Sequence, residues 1–413
     1  MGYQQGLSGL AGASNALDVI GNNIANANTV GFKSSTAQFS DMYANSIATS
    51  VNTQIGIGTA LASVQQQFGQ GTINTTNSSL DVAINGNGFF QMSNNGTITY
   101  TRDGTFQRDK NGYIVNSQGL NLMGYAADKN GVINTAQTVP LQAPTTNIAP
   151  TATTKITGQF NLNSQDTVPT KTPFDATDTT TYNYSTSIQV YDSLGGSQAV
   201  NMYFVKTAAG TWEAYAGVQG GTTNDLGTIQ FDSSGAISGT TTGSPATPTA
   251  ALGQFQFTVP NTDGSATPQT LTLDLTGTTQ YGGKDGVNNL AQDGYASGTL
   301  TTFTIGTDGK LTGNYSNGQT AVLGQIALAN FNNPNGLVNI GGNQYAETAA
   351  SGVPQISVPG STNHGTLQGS ALENSNVDLT SQLVNLITAQ RNYQANAQTI
   401  KTQQTVDQTL INL

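Results

Sequence analysis

The chain has 413 residues, of which only 8% are charged and 36% hydrophobic, and it carries a formal net charge of −10. That length suggests two to three domains, and the sign of the charge argues against nucleic acid or an anionic membrane as a partner. The absence of cysteine removes any disulfide framework or thiolate metal site, while 49 glycines among many Thr, Asn, Gln and Ser suit a β-rich chain better than a cytoplasmic enzyme.

No apolar run is long enough to span a bilayer, and the opening residues Met1 to Gly6 lack the basic and apolar regions of a Sec-type signal. A first helix is predicted from Gln4 to Ala27, with Leu7, Leu10, Leu17, Ile20 and Ile24 as its apolar anchors. Gly6, Gly9, Ala13 and Ala16 form a strip of small residues that lets another backbone come close. Four glycines, Gly6, Gly9, Gly12 and Gly21, each weaken an isolated helix by up to about 1 kcal/mol relative to Ala, so this helix needs a partner surface.

From Thr29 to Thr72 the sequence is polar, with scattered anchors at Phe32, Phe39, Met42, Tyr43 and Phe68, and reads as an irregular or extended connector. From Leu80 the period changes to two: Leu80, Val82 and Ile84 alternate with Asp81 and Ala83. Short β runs follow, separated by turn signals at Asn95-Gly96, Asp103-Gly104 and Asn111-Gly112. A Pro- and Thr-rich stretch from Pro140 to Thr154 reads as a domain boundary or loop. Further strands are predicted near Ile188 to Tyr191, Val200 to Val205, Trp212 to Tyr215, Phe255 to Val259 and Leu271 to Leu275. Leu300 to Ile305 and Leu323 to Leu328 then resume the first β pattern, so the middle reads as an insertion.

From Val377 to Leu413 there is neither Gly nor Pro. Leu379, Leu383, Leu386, Ile387, Tyr393, Ala397, Ile400 and Leu410 keep a helical rhythm, and Ser375 with Asp378 has capping-box spacing. A helix of this length reaches about 50 Å at about 1.5 Å per residue.

Sites for chemistry are scarce. His364 is the lone histidine and reads as an exposed loop residue; Gly86-Asn-Gly88 reads as a hairpin turn, since β-like residues follow it. Asp109 to Gly112 and Asp128 to Gly131 lack the further spaced carboxylates of a calcium loop. The scattered acids nominate no glycosidase pair, and the lone Trp212 gives little support to a glycan-binding enzyme or adhesin. No catalytic, cofactor-binding or metal residue is expected. The asparagines Asn22, Asn23, Asn26 and Asn28 fit either bonds between subunits or helix termination before a turn at Gly31. The terminal stripes equally fit an ordinary intramolecular helix pair or contacts between chains.

The block Gly6 to Lys33, which contains Gly21, Asn22, Asn23, Asn26, Asn28, Gly31 and Phe32, closely resembles the opening of flagellar rod and hook proteins. The closing blocks Gly369 to Leu379 and Gln390 to Lys401 resemble the other end of the same family, and Leu80 to Phe90 with Thr101 to Phe106 resembles its first β domain. Val190 to Gly195, Tyr315 to Gly318 and Leu323 to Leu328 resemble hook rather than rod proteins, as does the large insertion.

The resemblance implies a mainly β fold with terminal α-helices, nested discontinuous β domains, and N- and C-terminal helices forming a coiled-coil-like inner domain. The expected divisions are 1–28 with 371–413 (helical, polymerising), 29–71 with 356–370 (connector), 72–145 with 285–355 (inner β) and 146–284 (outer, inserted). It further implies a non-enzymatic subunit of the extracellular flagellar hook, a flexible tube that carries torque from rod to filament around an export channel. A distal rod or other hook-associated axial protein is the alternative. The implied partners are other copies of the chain, the distal rod, hook cap, hook–filament junction protein and flagellar type III export apparatus, with no cofactor, nucleic acid or membrane insertion. The ends are expected to be disordered in the monomer and helical in the polymer, with the apolar residues of both helices at the subunit interface.

Overall fold

The computed structural model describes residues 2–42, 56–128, 130–144, 146–242, 247–248, 251–261 and 263–411. The chain divides into two compact units, a discontinuous one (Met1–Thr145, Thr301–Asn314 and Thr320–Leu413) and an inserted one (Thr146–Leu300 and Tyr315–Gln319).

The discontinuous unit opens with helix α1, Gly2–Ala25. Strands β1 (Ser35–Met42) and β2 (Gly58–Gln66) follow and pair antiparallel, from Ser35 opposite Gln66 to Met42 opposite Gly58. Among the described residues of the expected connector, Ser35–Met42 and Gly58–Gln66 are therefore paired β structure. Short strands β3 (Ile73–Thr75) and β4 (Val82–Asn85) pair with Ala371–Glu373 and Thr366–Gly369 from the far end of the sequence. Those pairings make the second connector limb, read as 356–370, part of the β structure. They also move the start of the terminal helical segment from 371 to helix α2, Leu379–Ile411. Its N-cap is Asp378, whose Oδ1 accepts from the Thr380 and Ser381 amides at 2.9 and 3.3 Å. Ser375 stands outside the helix, too far upstream to reach its free amides.

The main sheet of this unit runs Leu300–Ile305, Lys310–Tyr315, Thr320–Ile326, Asn121–Ala126, Phe89–Asn94, Thr97–Thr101, Gln344–Ala346 and Val338–Gly341. Asn95 and Gly96 take φ of +49° and +99° between paired Asn94 and Thr97, the left-handed pair that a two-residue hairpin requires. Gly86-Asn-Gly88 is not a hairpin: β4 pairs with Thr366–Gly369, while Phe89–Asn94 joins the main sheet. Phe90, Met92, Ile84, Leu122 and Leu328 anchor one core; Phe89, Tyr100, Phe331 and Tyr345 anchor a smaller aromatic one.

The inserted unit contains a six-stranded meander, Tyr184–Tyr191, Ser197–Ala208, Thr211–Val218, Thr223–Phe231, Ile237–Thr242 and Thr247–Pro248. A second sheet has the order Gln254–Val259, Gln269–Asp274, Lys155–Asn161 and Gly286–Gln292. Phe255, Phe257 and Val259 are buried and alternate with Gln254, Gln256 and Thr258, the period-two signature of a strand with one dry face. Side chains of both sheets, Trp212, Phe204, Phe160 and Leu273 among them, share one core. The expected return to the first domain at 285 comes too early, because Gly286–Gln292 pairs with Lys155–Asn161 of this unit.

Candidate functional site

The two ends of the chain meet as an antiparallel helix pair. A Cβ built on Gly6 would lie 2.9 Å from Ile400 Cγ1, and one on Gly9 would lie 2.6 Å from Asn396 Oδ1. At the other end of α1, Asn23 Nδ2 donates to Gln382 Oε1 at 3.4 Å. The small-residue strip thus receives α2 of the same chain. Both ends are helical and paired within one molecule. Gly12 faces Thr59 and Phe39, so α1 also lies against the β1–β2 pair. Gln5 Nε2 donates to the Gly56 carbonyl at 2.6 Å, and the Thr59 amide to Ser8 Oγ at 3.3 Å.

This pairing leaves most of α2 uncovered. Among its described residues Ala389 alone is buried. Leu386 and Ile400 are half-buried on the paired side, as are Leu10, Leu17, Ile20 and Ile24 of α1. Leu379, Leu383, Ile387, Tyr393, Leu410 and, on α1, Leu7 are exposed. The expected single stripe on α2 therefore divides into a covered face and an open one. Val384 and Val406 are also exposed, as are Phe39, Met42, Leu61 and Val64 on β1 and β2. The connector's apolar positions were visible in sequence, but their pairing was not. Tyr43 lies outside the described residues.

A buried polar clasp joins both ends to the β structure. Lys33 Nζ sits 2.7 Å from Glu373 Oε1 and Arg102 Nη1 3.2 Å from Glu373 Oε2. Lys33 also donates to the Gly69 carbonyl at 2.8 Å, Arg102 to the Gly86 carbonyl at 2.8 Å, and the Gly71 amide to Glu373 Oε1 at 2.8 Å. Burial, and then the neighbouring Arg102 charge, hold the Lys33 ammonium below its usual range against the pull of Glu373. Burial likewise lowers Arg102, opposed by Glu373.

Asn23, buried, donates to the Ser35 carbonyl at 2.8 Å and accepts from its amide at 2.9 Å. Asn26 donates to the Asn22 carbonyl at 3.0 Å, while Asn22 and Asn28 are exposed. Gly31 takes φ of +70°, and its missing Cβ would lie 2.7 Å from the Asp103 nitrogen, so the turn needs glycine twice over. Its amide donates to the Glu373 carbonyl at 2.8 Å, beside buried Phe32. Asn376 accepts from the Ser34 amide at 2.8 Å and donates to the Gln67 carbonyl at 2.7 Å. Lys33, Arg102, Glu373 and Asn376 lay inside or beside the quoted sequence blocks, but nothing in spacing alone brings residues so far apart together.

His364 is half-buried rather than fully exposed, its Nε2 donating to the Gln355 carbonyl at 2.9 Å. Asp109 and Asp128 accept backbone amides of their own turns. Among the described residues no group of three or more His, Asp or Glu could hold a metal ion, and no helix is long and apolar enough to cross a membrane.

Four family models match the chain in order. They are the flagella basal body rod protein over residues 4–33, the flagellar hook protein FlgE/F/G D1 domain over 83–157, the flagellar basal body protein FlaE D2 domain over 161–295, and the flagellar basal body rod FlgEFG protein C-terminal over 368–413. The chain is 42% identical over 424 residues to the flagellar hook protein FlgE of Salmonella typhimurium, covering 100% of both. It is 42% identical over 423 residues to that of Escherichia coli, again covering 100% of both, and 32% identical over 456 residues to that of Treponema pallidum, covering 99% of this chain and 98% of the relative. Among solved structures, the Helicobacter pylori flagellar hook protein FlgE2 aligns at 16% identity and a TM-score of 0.49, over 73% of this chain and 100% of that one.

Proposed function

The chain belongs to the flagellar hook protein family, and from that premise we propose that its copies polymerise through the terminal helix pair and the apolar faces it leaves open. It is a structural subunit of the flagellar hook, external to the cell, in a family that is structural rather than enzymatic. Full-length hook relatives favour this reading over a distal rod protein. Hook proteins polymerise and contact the rod and other flagellar proteins. At finer grain, the partners we propose are the distal rod, hook cap, hook–filament junction protein and flagellar type III export apparatus.

One observation carries the reading: the 33-residue α2 buries a single described residue while presenting Leu379, Leu383, Val384 and Ile387 to solvent. Fully covering a Leu or Ile is worth roughly 1.5–3 kcal/mol, so a neighbouring copy supplies what one chain lacks. Leu7 and Leu410, near the helix ends, are exposed as well. On this reading the polymer is a tubular universal joint with a central channel. Gln394 and Gln398, both exposed, follow Leu383 and Ile387 by eleven residues, about three turns, and so continue the same open face of α2 with polar side chains.

The test replaces Leu383 and Ile387 together by Asp. A carboxylate buried without a partner costs several kcal/mol, so polymer should vanish from electron micrographs. The β circular dichroism of the monomer should stay unchanged. Normal tubes from this variant would remove α2's open face from the interface.

A further inference from the structure

Asparagine loses its side-chain amide most readily before glycine, which has no Cβ to keep its backbone nitrogen away from the Asn Cγ. The chain holds seven Asn-Gly pairs, beginning at Asn85, Asn87, Asn95, Asn111, Asn130, Asn317 and Asn335. The fold treats them unequally. In four of them the glycine amide donates back across its own turn. Gly112 reaches the Asp109 carbonyl at 3.1 Å, Gly131 that of Asp128 at 2.9 Å, Gly318 that of Tyr315 at 3.0 Å and Gly336 that of Asn333 at 3.0 Å. Asn317 is also tied through its side chain, which donates to the Ala296 carbonyl at 2.7 Å and accepts from the Gln319 amide at 3.1 Å. The Gly86 amide donates to Gln70 Oε1 at 2.9 Å, and Gly88 is buried beside Leu328.

Asn95 lacks these restraints. Asn95 and Gly96 are both exposed, and no atom beyond the chain neighbours lies within 4 Å of a Cβ built on Gly96. Among the described residues the Asn95 side chain has no hydrogen-bond partner, and the Gly96 amide has only Ser93 Oγ, at 3.3 Å.

We propose that Asn95 is a deamidation site, selected by its hairpin turn. Hydroxide removes the Gly96 amide proton, and that nitrogen bonds to Asn95 Cγ as the bond from Cγ to Nδ2 breaks. Nδ2 takes a proton from water and leaves as ammonia, which restores the hydroxide. Water then opens the five-membered succinimide at either carbonyl, giving aspartate or isoaspartate. One water is consumed, one ammonia is released, and the turn gains a negative charge. Isoaspartate routes the main chain through Cβ and so adds a backbone carbon to a two-residue turn. That turn sets the register between Phe89–Asn94 and Thr97–Thr101. The hairpin lies inside the main sheet, between Asn121–Ala126 and Gln344–Ala346, so copies of the chain gather this change at the sheet's interior as they age.

The experiment ages the full-length protein in warm, mildly alkaline buffer and counts aspartate and isoaspartate at each pair by peptide mapping. In the folded protein Asn95 should react at least about tenfold faster than Asn111, Asn130, Asn317 and Asn335, whose glycine amides must first break a hydrogen bond. In concentrated urea the five rates should come within about twofold of one another, because the turn hydrogen bonds are gone. A folded-state rate at Asn95 no higher than at the other four would overturn the proposal. So would a lead of the same size that survives in urea, which would assign it to the neighbouring sequence and not to the turn.

Discussion

The inserted unit and the terminal helices dispose of their large apolar side chains in opposite ways. In the inserted unit Trp212, Phe204, Phe160 and Leu273 are wholly buried between two sheets of the same unit. In the helix pair, small residues fill the seam, and Leu7, Leu383, Ile387 and Leu410 remain in water. A sheet packed on a sheet closes its own core, while two helices in contact cover only one side of each. The first region is complete as a single chain. The second leaves large apolar side chains exposed, the surface that the proposed polymer contacts would cover.

That contrast can be broken most forcefully from the closed side. Trp212→Ala removes the largest fully buried side chain, and a cavity of that kind costs about 3–5 kcal/mol. Calorimetry should show the transition of the inserted unit displaced, with the helical signal of the ends unchanged. A coupled loss of both would mean that the units do not unfold separately.

The helix seam predicts an intermediate effect. Gly9→Leu drives a side chain into Asn396 and should destabilise the pair by about 1–3 kcal/mol, detectable as faster proteolysis of both ends. Gly21→Ala is the control: no atom lies within 4 Å of its would-be Cβ, so the helix should gain up to about 1 kcal/mol. Equal behaviour of the two variants would deny the seam a packing role.

The smallest expected effect is electrostatic and belongs to the inserted unit. Burial would raise the Asp274 carboxyl, but Lys155, 2.8 Å away, and Thr276 hold it down at about 2, below its ordinary 3.8. A depressed carboxylate contributes stability above its unfolded value and loses it as pH falls through the folded one. Urea midpoints of this unit should therefore drop slightly between about pH 4 and pH 2, and Asp274→Asn should flatten that slope. Because Lys155 is half exposed, the slope is shallow.

Much of the secondary structure was legible because its signals are local. The helix expected from Gln4 to Ala27 is α1, displaced by two residues at each end. Leu300–Ile305 and the hairpin at Asn95-Gly96 are found where period and turn chemistry placed them. The β1–β2 pair was not legible, because its strands carry Gln, Ser and Thr on both faces and show no clean alternation. Lys155–Asn161 and Gly286–Gln292 were missed for a related reason: the latter, Gly-Val-Asn-Asn-Leu-Ala-Gln, has too few apolar residues to declare a strand without its partner.

By itself the sequence determined where helix gives way to strand and which residues turn the chain, since both depend on neighbours a few positions apart. It also carried, through long blocks at both ends, the resemblance to flagellar axial proteins. Only the tertiary structure decided which face of α2 is covered, where the inserted unit ends, and that Lys33, Arg102 and Glu373 share one buried site. The physical reason is range: helix period and turn geometry are set within one or two turns of chain. Burial and ion pairing depend on residues that folding brings together from hundreds of positions away.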